Sequence, residues 1–97
     1  MKAIFIAYNQ AYYQEIVELL DANGQRGYTA WEDIQGQGSV EGTPHLGNHA
    51  WPEMNFAILT MVEDDKVRPI MDALKEKDVN YPDLGLRAYV WNIEQAL

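Results

Sequence analysis

Between Lys2 and Asn9 the chain reads KAIFIAYN, apolar at nearly every position after the lysine. A short run so dense in Ile, Phe and Tyr predicts a buried strand. The period then changes. In QAYYQEIVELLDANG, residues Tyr12, Tyr13, Ile16, Val17, Leu19 and Leu20 recur at helical spacing with Glu and Gln between them. Gly24 is placed to end that helix. GYTAWEDI alternates and is aromatic, which predicts a second strand, and MNFAILTMVE predicts a third. In DKVRPIMDALKEKD a stripe of Val67, Ile70, Met71 and Leu74 predicts a second helix. Glu63, Asp64 and Asp65 cap its start and Pro69 lies near its first turn. NYPDLG breaks the chain, and LRAYVWNI predicts a fourth strand.

The order is β-α-β-β-α-β, the ferredoxin-like α+β arrangement, with two helices on one face of a four-stranded antiparallel sheet. Such a sheet is expected to show one apolar and one polar face. These strands do not. The first offers Ala3, Phe5 and Ala7 on one side and Ile4, Ile6 and Tyr8 on the other. The third offers Phe56, Ile58, Thr60 and Val62 against Ala57, Leu59 and Met61. A dry second face predicts packing against other copies of the chain. Trp31, Tyr89 and Trp91 belong to that interface or to the core rather than to a cofactor site.

Composition narrows the function classes. Ninety-seven residues make one domain, 1–97. The net charge of -8 repels phosphate backbones and argues against nucleic-acid binding. There is no cysteine, hence neither disulfide nor thiolate chemistry. No apolar run has the length of a membrane helix, so the chain is expected to be cytoplasmic and not membrane-embedded.

One stretch breaks the apolar pattern. QGQGSVEGTPHLGNHAWPEMN, residues 35–55, holds both histidines and four of the seven glycines, and predicts a long loop over about 36–52. His45 and His49 stand four apart, flanked by Glu41 and Glu53. Neutral imidazole ligates zinc, copper or nickel, and such a divalent transition metal needs a third ligand from Glu53, Glu41 or a neighbouring subunit. The plainer reading makes the histidines polar residues that shape the loop. Catalysis has little support. The first strand–helix turn, NQAYY, lacks the arginine that acylphosphatase-like chemistry needs. No Ser-His-Asp or Cys-His set exists, and Asp64 with Asp65 fits a helix cap.

The order of elements, the pair Gly36 and Gly38 after the second strand, MVEDDKVRPIMDAL and LRAYVWNIEQAL together resemble the P-II signalling proteins over nearly the whole chain. The resemblance implies a homotrimer with three sheets facing a common axis. It implies adenine nucleotide binding in the cleft between subunits, with Gly36, Gly38, Gly85 and Arg87 beside the ligand. It also implies that the 36–52 loop docks on a target protein such as a membrane transporter. The chain departs from the family in places. Ser39, Val40 and Glu41 replace basic residues after the glycine pair. PDLGLR keeps a single glycine, Gly85. No basic residue follows the fourth strand, and the loop has no tyrosine to modify. The resemblance is therefore to a divergent branch. Charge-assisted pairs supply much of the affinity for a triphosphate, so nucleotide binding is expected to be weak, and weaker for ATP than for a mono- or cyclic nucleotide. The alternative expectation is a metal-binding trimer of heavy-metal tolerance or efflux using His45 and His49. A small ferredoxin-like enzyme ranks last.

Overall fold

The computed structural model describes residues 1–35 and 54–97. The elements are β1 (Lys2–Asn9), a 3-10 turn (Gln10–Tyr12), α1 (Tyr13–Ala22), β2 (Thr29–Ile34), β3 (Asn55–Val62), α2 (Asp64–Asn80), a second 3-10 turn (Pro82–Leu84) and β4 (Arg87–Asn92). The four strands form one antiparallel sheet in the order β2-β3-β1-β4. This is the ferredoxin-like topology expected from the pattern.

Even-numbered residues of the inner strands face the helices. Ile4, Ile6, Tyr8, Phe56, Ile58 and Val62 form a core with Ile16, Leu20, Ile70 and Leu74. Each fully buried aliphatic side chain contributes about 1.5–3 kcal/mol. The stripes predicted for both helices supply their half of this core, with Tyr12, Tyr13, Val17, Val67 and Met71 at its margin.

Local chemistry sets the ends of the elements. The Asn9 Oδ1 accepts from the Ala11 N–H at 2.9 Å and caps the turn that leads into α1. That first turn is 3-10, so α1 begins at Tyr13 rather than at Gln10. Gly24, at φ 75°, ends α1 as expected. Its N–H bonds to the Asp21 carbonyl and the Gln25 N–H to the Leu20 carbonyl, each at 2.9 Å, which is a Schellman closure. β2 starts at Thr29 because the preceding segment is already engaged. The Thr60 hydroxyl donates to the Gly27 carbonyl at 2.6 Å, and Gln25 Nε2 donates to Thr60 Oγ1 at 2.8 Å.

Two details of α2 differ from the sequence reading. Glu63 occupies the capping position without a side-chain capping bond. Asp64, expected as part of the cap, instead pairs with the Met1 ammonium at 2.8 Å, and that partner lowers its carboxyl pKa. Pro69 is the sixth residue of the helix, a turn deeper than expected. The Asp65 carbonyl therefore receives no N–H from position 69.

The other face of the sheet carries three cross-strand rows. They are Met61–Ala3–Trp91, Thr29–Leu59–Phe5–Tyr89, and Trp31–Ala57–Ala7–Arg87. Among the described residues no helix covers it. Trp31 is 44% exposed, Met61 46%, Tyr89 57% and Trp91 48%, which is far too much for core residues. In β2 the register shifts between Trp31 and Ile34, and Asp33 takes a φ of 53° at this bulge.

Candidate functional site

The turn before β4 is built on buried leucines. Leu84 and Leu86 are in the core, and between them Gly85 stands at φ 59°, ψ 35°. That left-handed conformation suits glycine and strains a residue with a Cβ. Arg87 follows as the first residue of β4, exposed, paired across the ladder with Ala7. Its Nη1 donates to the Leu86 carbonyl at 2.7 Å, which folds the guanidinium back over the turn.

Strand register determines what this turn lies near. Ile34 of β2 pairs with Asn55 of β3, Asn55 with Asn9 of β1, and Ala7 with Arg87 of β4. The end of β2, the start of β3 and the Gly85–Arg87 turn therefore share one end of the sheet. Segment 36–53 leaves and returns there. Gly36, Gly38, His45, His49 and Glu53 lie outside the described residues, so of the predicted site residues only Gly85 and Arg87 have a place here. An exposed guanidinium beside a left-handed glycine can hold one small anionic group through charge-assisted hydrogen bonds.

Two buried polar residues at this end were not singled out in the sequence. Asn9 is 3% exposed and Asn55 8%, and they face each other across the ladder. The signal for Asn9 was available: an asparagine between a strand and a helix is a capping residue. Its pairing with Asn55 was not.

Elsewhere the polar chemistry is structural. Tyr8 is buried against Phe56, with ring centroids 6.0 Å apart, and its hydroxyl has no hydrogen-bond partner among the described residues. Burial pushes that phenol well above the ordinary tyrosine range. The Tyr13 and Tyr28 hydroxyls bond to each other at 2.7 Å, and this bond raises the Tyr13 pKa. A groove of about 390 Å³ runs between α1 and α2, and its charged lining among the described residues is Glu15, Glu18 and Glu76 against the single cation Lys77. Three carboxylates against one lysine leave the groove net negative, which disfavours a phosphate there. Among the described residues no three acidic or histidine side chains cluster as a metal site, and no helix is long and apolar enough to cross a membrane.

The family model for nitrogen regulatory protein P-II matches residues 1–97. Solved structures share the fold. CPII of Thiomonas intermedia K12, bound to ADP and bicarbonate, superposes with a TM-score of 0.74 at 23% identity, covering 95% of this chain and 84% of that one. The same protein bound to ADP, AMP and bicarbonate gives 0.73 at 17% identity, over 97% and 88%. A PII-like signaling protein of Thermus thermophilus gives 0.69 at 23% identity, over 95% and 85%. No curated protein matches this sequence.

Proposed function

The chain belongs to the nitrogen regulatory protein P-II family, and from that premise we propose that it is a homotrimeric effector sensor whose ligand is an adenine nucleotide with few phosphates. Proteins of this family are regulatory rather than catalytic. The ligand's phosphate lies against Gly85 and Arg87, in a cleft completed by a neighbouring copy. The 36–52 loop docks on a target protein, for which a membrane transporter is the leading candidate.

The observation that carries this reading is the position of the Gly85–Arg87 turn. It stands at the same end of the sheet as the end of β2 and the start of β3, on β4 two strands away from β3, so a ligand there lies at the loop's end of the sheet. The exposed aromatic face supports the trimer, because an apolar patch of that kind is an interface. The ADP and AMP held by CPII support the ligand class.

Calorimetric titration with AMP, ADP and ATP, alongside light scattering, tests the reading. AMP or ADP is expected to bind more tightly than ATP, to a particle of about three chain masses. A folded monomer indifferent to all three nucleotides would remove both halves of it.

A further inference from the structure

Asn9 uses both ends of its side chain. Oδ1 accepts from the Ala11 N–H at 2.9 Å, and this fixes which way the amide faces. Nδ2 then points at the Asp83 carbonyl, 3.4 Å away, in the 3-10 turn that leads to Gly85 and Arg87. The next residue completes the set: the Gln10 N–H donates to the Met54 carbonyl at 2.9 Å, where the chain returns from segment 36–53. Asn55, beside Met54, is the cross-strand partner of Asn9 and is buried like it. Residues 9–11 thus touch the β4 turn on one side and the start of β3 on the other. A buried amide that bonds one segment through its oxygen and another through its nitrogen couples the two, because moving either segment strains a hydrogen bond held away from water.

We propose that Asn9 is a positioning residue that ties the Gly85–Arg87 turn to the start of β3, so that displacement of one is felt at the other. The inference rests on the reading of that turn as the effector site. Its first test uses no ligand.

Asn9→Asp keeps the acceptor for the Ala11 N–H but cannot donate to the Asp83 carbonyl. Asn9→Ser keeps a capping oxygen and lacks the reach. Gly85→Ala strains the turn directly. The readout is amide exchange at Gln10, whose N–H reports the bond to Met54, with the thermal midpoint as a control on folding. Gly85→Ala is expected to speed Gln10 exchange by about threefold or more, and to add nothing once Asn9 is Asp or Ser, the signature of coupled residues in a double-mutant cycle. An equal effect of Gly85→Ala in all backgrounds overturns the proposal. So does loss of folding in both Asn9 variants, which would make the residue merely structural. A second arm adds ADP: it is expected to change Gln10 exchange in the parent protein and not in Asn9→Asp. If ADP fails to bind the parent, the effector reading falls, while the Gly85→Ala arm still decides the tie.

Discussion

Ile58 and Leu59 are neighbours on β3 and occupy different environments. Ile58 is fully buried beneath the helices, among Ile4, Ile6 and Leu20. Leu59 points the other way, in a row with Thr29, Phe5 and Tyr89, on a face no described helix covers. Both are branched aliphatics, and nothing in their immediate sequence separates them. The difference is in what each face must find. One is closed by the chain's own helices, and the other is covered by no described helix. Strand residues that are apolar on both sides thus carry two separate instructions, one for the closed core and one for the open face.

Charge substitution separates the two instructions most strongly. Ile58→Asp places a carboxylate in the dry core at a cost of several kcal/mol, comparable with the whole stability of a small domain, and is expected to abolish the cooperative thermal transition. Leu59→Asp is expected to keep the helical circular dichroism and to lower the mass in light scattering from three chains to one. If Leu59→Asp unfolds the protein as Ile58→Asp does, the faces are not independent.

A smaller effect is expected where the open face ends, at Arg87. Arg87→Ala removes one charge-assisted contact and should weaken AMP or ADP binding about tenfold without changing the mass of the assembly. Unchanged affinity in the titration would move the ligand away from β4.

Tyr8 probes the closed face gently. Its hydroxyl is buried without a partner among the described residues, so Tyr8→Phe removes an unsatisfied group and should raise stability by about 1 kcal/mol, read from the urea midpoint. A lower midpoint would show that the hydroxyl contributes to folding.

The smallest effect belongs to Asp64. Its pKa is lowered by the Met1 ammonium, so its contribution is present above the ordinary aspartate value of about 3.9 and is lost as pH falls through the lowered one. Asp64→Asn should therefore trail the parent slightly at neutral pH and match it in acid. Added salt should shrink the gap, because the pair is exposed.

Periodicity made the architecture legible. β1 matches its predicted span because its apolar run ends at a capping asparagine, and the helix stripes reappear as the core because burial is what spaces them. Boundaries were less legible where side chains compete for the backbone. Gly27 and Tyr28 look like strand, but the Gly27 carbonyl accepts from the side chains of Thr60 and Gln25. Asp64 looks like a cap, and only the folded chain brings Met1 to it. For the site, the sequence could mark Gly85 and Arg87 through resemblance, since a glycine before a basic residue is visible as letters. The Asn9–Asn55 pair joins residues 46 positions apart, and no local pattern announces a cross-strand partner.

The bulge in β2 bears on growth. β2 is an outer strand, and a regular outer strand offers a rail of unpaired N–H and C=O groups to any further strand. Here the rail is bent at Asp33, which leaves the extended conformation, and the bent half carries the exposed carboxylates of Glu32 and Asp33. A fifth strand laid along it would meet a kink and two hydrated charges. In the proposed trimer, association would thereby be steered from the rim of the sheet to its exposed aromatic side. Stacking on that side can end in a closed ring of copies, whereas addition at the rim would run on as an open ribbon.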